Sequence, residues 1–362
     1  MNLHTEFLPE ADDFPEHSIL FDIETTGLSA ATSYIYLIGA IYREESRLCL
    51  TQWFCDSYQE EKELLSAFRS FLTCHAGSVL VHYNGTTFDL PFLNKKWERH
   101  RLSFSVSPEN TQDLYQLLLP FRKLSQLPNL RQKTVEASGG YLRNDSFQGS
   151  ELIEVYAAYT GKYRLATLTG DFSEADALRY SLLLHNHDDL LGLLQICQKT
   201  HLPDIRQGKY LPELTLTETE LLIFYSVSAL PFAVTRDFGF GSWHADQNGL
   251  RLRIPLFWGE LKYFFPDYRN YSYLIYEDTA VHNSLADYVD QEAKKRCTPR
   301  TAYQKKKGLF FPLPPKFSSL PAGSHCFFRE YRQQPAYLEL SKELLTDTAF
   351  VNAYVSAMLS LH

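Results

Sequence analysis

The 362-residue chain has no apolar run long enough to span a bilayer, and its opening residues, Met-Asn-Leu-His-Thr-Glu-Phe, lack the charged-then-apolar pattern of a secretory signal. No membrane partner is expected, and a cytoplasmic location is. The six cysteines (Cys49, Cys55, Cys74, Cys197, Cys297, Cys326) include no Cys-x-x-Cys pair and no zinc-type spacing, so they read as reduced thiols. Internal repeats and low-complexity tracts are absent too. Positive charge is in deficit: 35 Lys and Arg stand against 43 Asp and Glu, a formal net charge of -8. Bulk electrostatics would therefore not hold this molecule on nucleic acid, and any polyanion contact has to use local basic patches or metal. What the chain does have is length enough for two ordinary domains, each with its own core, and an abundance of Tyr and Phe.

One stretch organises the rest. Residues 18–28, Ser-Ile-Leu-Phe-Asp-Ile-Glu-Thr-Thr-Gly-Leu, begin as an apolar strand and break at Thr-Thr-Gly. Two acids in the strand, Asp22 and Glu24, are two apart and so share a face. Paired acids beside a core repel each other and lose hydration, a cost that a hard divalent cation removes. A solvent-facing edge of an amphipathic strand is the plainer explanation for Asp-x-Glu alone. The hydroxyls and glycine that follow favour the first reading, because they let a phosphate backbone approach.

The chain then divides at the polar, proline- and glycine-bearing segment 202–211. Residues 1–17 are acidic and read as a loosely ordered arm. Residues 18–202 form a first domain, with strands at Ser18 to Ile23, Ile35 to Arg43 and Leu48 to Phe54 in an antiparallel meander. A helix over Gln59 to Thr73, a strand over Ser78 to Tyr83 and a helix from Asp89 follow. From Thr111 to Thr200 the pattern is helical with glycine and proline breaks. Its last helix, Ser173 to Lys199, carries a polar island, His185-Asn186-His187-Asp188-Asp189. Within that island His185 and Asp189 are one turn apart on the same face. Residues 212–362 read as a smaller α+β domain, with a hairpin at Gln247-Asn248-Gly249, a helix over Ala280 to Lys295 and a second hairpin turning at Lys305 to Gly308.

Three acidic stations stand out: Asp22 with Glu24, then Asp89 in Asn84-Gly85-Thr86-Thr87-Phe88-Asp89-Leu90-Pro91-Phe92-Leu93, then Asp189. In this order and with these neighbours they resemble the Exo I, Exo II and Exo III motifs of the DEDD superfamily of 3′-to-5′ exonucleases, within a bacterial branch of predicted RNase H-like exonucleases. The resemblance covers about residues 18–200. It implies an α/β fold, an RNase H-like mixed five-stranded sheet flanked by helices. It further implies two Mg²⁺ or Mn²⁺ ions held by Asp22, Glu24 and Asp189, with Asp89 supporting the second ion directly or through water. Such ions would activate water and stabilise the leaving oxygen.

His185 would be the general base, as an imidazole's ordinary pKa lies near neutrality. It stands four residues before Asp189, where one family subgroup has tyrosine; taking Asp188 as the ligand would put it three before, which fits neither known spacing. Thr25, Thr26 and Leu28 would line the terminal nucleotide by the same resemblance. Asn84 either touches substrate or shapes its turn. His187 is expected to be solvated or to support the site from behind, and His82 and Tyr83 to be strand residues.

Two basic groups are candidate phosphate tracks: Lys95, Lys96, Arg99 and Arg101, and a strip of Lys294, Lys295, Arg296, Arg300 and Lys305 to Lys307. Glu277, Asp278 and His282 form a weaker candidate metal site, against a helix-capping reading of Asp278 or Thr279. The expected function is a metal-dependent nuclease, a 3′-to-5′ exonuclease acting on single-stranded or frayed DNA or RNA. Two alternatives differ in class. One is a catalytically silent nucleic-acid-binding or scaffold protein, and the other a phosphoesterase of small nucleotides, whose site would be closed rather than open.

Overall fold

The computed structural model describes residues 1–9, 13–145, 147 and 149–361, and the chain separates into two compact units, Met1–Thr200 and His201–His362. Unit 1 holds strands β1 (Asn2–Leu8), β2 (Ser18–Thr25), β3 (Ile35–Glu44) and β4 (Arg47–Phe54), then helix α1 (Glu61–Cys74), β5 (Val79–His82) and α2 (Asp89–Arg99). After these come β6 (Thr111–Asp113), α3 (Leu114–Leu118), α4 (Gln132–Ser138), α5 (Gly149–Thr169) and α6 (Ser173–Gln198). The strands form one mixed sheet in the order β1-β4-β3-β2-β5-β6. β2, β3 and β4 are the antiparallel meander, while β5 and β6 run parallel to β2.

The sheet thus has the mixed α/β character expected, with six strands rather than five. Asn2–Leu8, expected within a loose arm, pairs with β4 along its whole length. Alternation of Leu3, Thr5 and Phe7 with polar residues suits an edge strand, and acidity elsewhere in the arm hid it. Residues 10–12 of that arm lie outside the described residues. Thr111–Asp113, read as part of a helical stretch, adds β6; three residues are too few to show a period.

Side-chain alternation on β2 sorts the two faces of the sheet. Phe21 points to the α1 side, its ring 6.1 Å from that of Phe68, and α1 buries Leu64, Leu65, Phe68 and Leu72 there. Each such side chain contributes about 1.5–3 kcal/mol of burial. Asp22 and Glu24 point the other way, toward α6, which packs on β2 and β3. Gly39 of β3, opposite Asp22 in register, permits that packing: a Cβ there would lie 2.1 Å from Asn186 Oδ1.

Unit 2 begins with α7 (Leu202–Arg206), inside the segment expected as a linker, and continues through β7 (Glu213–Leu216), β8 (Glu220–Tyr225), β9 (Val234–Asp237), β10 (Ser242–Asp246) and β11 (Gly249–Pro255). These strands make a five-stranded antiparallel sheet with the Gln247-Asn248-Gly249 hairpin in it. Two three-stranded sheets follow, from β12 (Phe257–Phe264), β13 (Tyr271–Leu274), β14 (Thr279–His282), α8 (Asn283–Ala286), β15 (Lys294–Arg296), β16 (Tyr303–Pro312) and β17 (Tyr337–Glu339). α9 (Lys342–Thr346) and α10 (Thr348–Leu359) close the chain.

Two expectations fail in this unit. The helix over Ala280 to Lys295 is instead a strand, one helical turn and another strand, since the pairings of β13 with β14 and β15 compete better than a weak helical period. Lys305 to Gly308 is no turn but the middle of β16, continuous from Tyr303 to Pro312 against β12. Polarity marked an exposed strand there, not a reversal of the chain.

Candidate active site

The acid face of β2 meets the polar island of α6. Asn186, fully buried, donates from Nδ2 to Asp22 Oδ2 at 2.9 Å and accepts at Oδ1 from Gln52 Nε2 of β4 at 2.9 Å. This chain fixes the rotation of α6 over the sheet. In consequence His185 Nε2 lies 3.7 Å from Glu24 Oε1 and 3.2 Å from Asp189 Oδ2. Glu24, His185 and Asp189 each present a ligand atom within 4.8 Å of the others, a geometry able to hold a cation.

Asp89 enters from the first turn of α2 and is buried. The turn before it is tied to the end of β6: Asp113 accepts from the backbone N–H of Asn84 at 2.8 Å and of Thr86 at 3.3 Å. Gly85 N–H donates to His82 Nδ1, so His82 is a buried turn support.

Asp22 and Asp89 lie outside the group of Glu24, His185 and Asp189, yet each is pushed by the charge of Asp189. Burial, then repulsion from Asp189, Glu24 and Asp89, pushes the Asp22 carboxyl well above the usual range. Glu24 is raised likewise by burial and by Asp189 and Asp89. Asp89 is raised to about 7 by burial, with Asp113 and Asp189 adding to the shift. Carboxyls crowded to this degree fit a divalent cation, whose charge removes the repulsion and whose preference is for such oxygens.

Asp189 and Asp188 have different fates. Asp188, fully buried, spends its oxygens on Tyr141 OH (2.9 Å) and on the backbone N–H groups of Asn144 and Asp145 (both 2.7 Å). It thereby anchors residues 141–145, which were not singled out in the sequence. That segment brings Asp145 Oδ2 to 2.5 Å from His185 Nδ1 and Arg143 Nη2 to 2.5 Å from Asp189 Oδ1. Burial opposes ionisation of Asp145, yet the Phe147 N–H and His185 outweigh it and hold the carboxyl below its ordinary value. The only local signal for this segment was a pair of opposite charges after Gly139-Gly140.

Other expected residues fall as follows. Thr25 Oγ1 donates to Gly27 O and Thr26 Oγ1 accepts from Tyr34 N–H, closing the loop that displays Leu28, 86 % exposed. Asn84 is exposed, at φ +59°. His187 Nε2 lies 2.7 Å from Glu6 Oε1 of β1.

Of the first basic group, Lys95, Arg99 and Arg101 are exposed and Lys96 is not. Lys96 is fully buried, 2.9 Å from Glu61, and Arg99 donates to Ala31 O. In unit 2, Asp278 accepts from Tyr273 and Tyr303 and pairs with Lys305 at 2.6 Å, while His282 bonds Ser284. Lys305, foremost, holds the Asp278 carboxyl far below its ordinary value. These partners leave Glu277, Asp278 and His282 no shared cation site.

The RNase H superfamily model matches residues 19–201, half of the chain, and the protein belongs to that superfamily. Among known proteins, the chain is 28% identical over 132 residues to the DNA polymerase III PolC-type of Lacticaseibacillus paracasei, an alignment covering 31% of this chain and 9% of that one. Among solved structures it aligns with the family B DNA polymerase of Pyrobaculum calidifontis at TM-score 0.40 and 15% identity, over 68% of this chain and 34% of that chain. The chain therefore spans a small part of either polymerase. Among the described residues no helix is long and apolar enough to cross a membrane.

Proposed function

We propose that the protein is a metal-dependent nuclease, a 3′-to-5′ exonuclease that hydrolyses phosphodiester bonds of single-stranded or frayed DNA or RNA. Membership of the RNase H superfamily supports a nuclease-type function. The observation that carries the finer reading is the convergence of Asp22, Glu24, Asp89 and Asp189, from β2, α2 and α6, around His185. A binding or scaffold protein has no use for buried carboxyls that raise one another's pKa.

Asp22, Glu24, Asp89 and Asp189 would hold two Mg²⁺ or Mn²⁺ ions, with Asp188 confined to anchoring residues 141–145. When bound, such ions make water more acidic and offset charge building on the phosphate. The rest falls to the chain. His185 takes a proton at Nε2 from the attacking water, while Asp145 at Nδ1 keeps the ring turned and that nitrogen free. Water oxygen bonds to phosphorus, the P–O3′ bond breaks and the leaving O3′ takes a proton from solvent water, giving a nucleoside 5′-monophosphate and a new 3′ hydroxyl. Thr25, Thr26, Leu28 and Asn84 border the terminal nucleotide.

With Mn²⁺, a 5′-labelled oligonucleotide is expected to shorten into a ladder, and Asp22→Ala to abolish it. An intact label on single-stranded and duplex substrates alike would favour the binding-protein alternative.

A further inference from the structure

While Lys133 lies 3.6 Å from Asp145 nearby, Arg143 is a cation lodged directly against Asp189. Its Nε and Nη2 both donate to Glu136, Nη2 to Oε2 at 2.9 Å, and Nη2 also donates to Asp189 Oδ1 at 2.5 Å. Glu136 reaches it because α6 has Gly192 at that level: a Cβ there would lie 1.9 Å from Glu136 Oε2. The guanidinium side chain is 9% exposed, yet Nη1 is buried with no hydrogen-bond partner among the described residues.

Planarity says where that spare nitrogen points. A guanidinium is a rigid fork, and the edge opposite Nε carries two parallel N–H bonds, one from each Nη. Nη2 directs its share of that edge at Asp189 Oδ1. The matching N–H of Nη1 therefore runs beside it, along the Asp189 carboxylate whose other oxygen lies 3.2 Å from His185 Nε2. A counter-ion for Glu136 and Asp189 makes no use of this third nitrogen, and a buried N–H without an acceptor loses hydration and gains nothing in return.

We propose that Arg143 is a catalytic residue that contacts the substrate: Nη1 donates to a non-bridging oxygen of the 3′-terminal phosphate, for which an arginine fork is well shaped. Positive charge fixed at that point would stabilise the phosphate as negative charge spreads over its oxygens. The proposal rests on the nuclease reading and adds to it a residue outside the three acidic stations.

Calorimetric titration of the full chain with dTMP and UMP at saturating Mn²⁺, and with Mn²⁺ alone, tests it. Arg143→Met is expected to weaken nucleotide binding about tenfold to a hundredfold, the range for a charge-assisted hydrogen bond, with Mn²⁺ affinity within about twofold of wild type. Arg143→Lys keeps the charge should the methionine variant fold poorly. It is expected to recover only part of the binding, since it lacks the fork. Free guanidinium should restore turnover to Arg143→Ala.

Equal nucleotide binding by wild type and both variants overturns the proposal while leaving the nuclease reading intact. A parallel fall in Mn²⁺ affinity also overturns it, since the arginine would then serve only to orient Asp189. Failure of the wild-type protein to bind either nucleotide with Mn²⁺ defeats the nuclease reading and the proposal together.

Discussion

Strands β2 and β16 both place like charges close together, and the protein treats them in opposite ways. On β16 the consecutive Lys305, Lys306 and Lys307 are exposed; Lys305 pairs with Asp278 and Glu260, and Lys306 with Glu339. Lys307 stands opposite Glu260 in register. Unit 2 as a whole is balanced, with 18 Lys and Arg against 17 Asp and Glu. On β2 the acids Asp22 and Glu24 turn inward, meet two more acids, and repel them. Unit 1 has 17 Lys and Arg against 26 Asp and Glu. Charge on β16 is solvated and mostly paired, whereas charge on β2 is buried among like charges, where it lowers stability. A bound cation would remove the cost of the second.

That contrast can be broken first at its chemical centre. For His185→Ala, single-turnover cleavage with Mn²⁺ is expected to slow about 10²–10⁴-fold, the usual share of a general base, with Mn²⁺ binding retained. An unchanged rate would remove the imidazole from the reaction.

Next in size is the buried ion pair that holds α2 to α1. Glu61 contacts Lys96, His100 and the Ile35 N–H at once, so Glu61→Gln leaves the fully buried Lys96 unpaired. Denaturant melts should show a loss of about 3–5 kcal/mol. A loss below about 1 kcal/mol would mean that water reaches Lys96 after all.

The pH dependence of the metal-free protein should be smaller and of definite sign. Asp89 titrates near 7 when folded against an ordinary value of about 4 when unfolded. The folded state therefore binds more protons in between, and this carboxyl's contribution to stability is greatest below its ordinary pKa. It falls as pH rises through that window, by on the order of a few kcal/mol. Mn²⁺ should accordingly raise the melting temperature more at pH 8 than at pH 5. A metal-free protein that grows more stable from pH 5 to 7 would contradict the crowding.

Smallest of all should be the effect on the paired lysines. Lys306→Ala removes a half-exposed bridge to Glu339, and melts should move by no more than about 1 kcal/mol, with oligonucleotide cleavage near wild type. A large drop in cleavage would turn the strip on β16 from a neutralised surface into a substrate track.

Legibility followed the range of the interactions. Asp22, Glu24, Asp89, His185 and Asp189 stood out because each lies in a local string whose period or neighbours betray it. Lys96 and Lys305 did not show their true state, since burial against Glu61 and pairing with Asp278 depend on residues 35 and 27 positions away. Each of the two basic groups consequently read as uniformly free, although most of their members are exposed as expected. Arg143 and Asp145 were silent for the same reason: their meaning comes from Asp188, Asp189 and His185, more than 39 residues on.

By itself the sequence determined the alternation that turns Asp22 and Glu24 to one face, the helical turn that aligns His185 with Asp189, and the mixed α/β pattern, because backbone periodicity is set within a few residues. Only the tertiary structure decided that Asp189 rather than Asp188 faces Glu24, that residues 2–8 complete the sheet, and that Arg143 and Asp145 close on the cluster. Those choices depend on how far α6 is rotated over β2. That rotation is fixed by Gln52, Asn186 and the space beside Gly39, contacts that bring together residues from 39 to 186 and so leave no local trace.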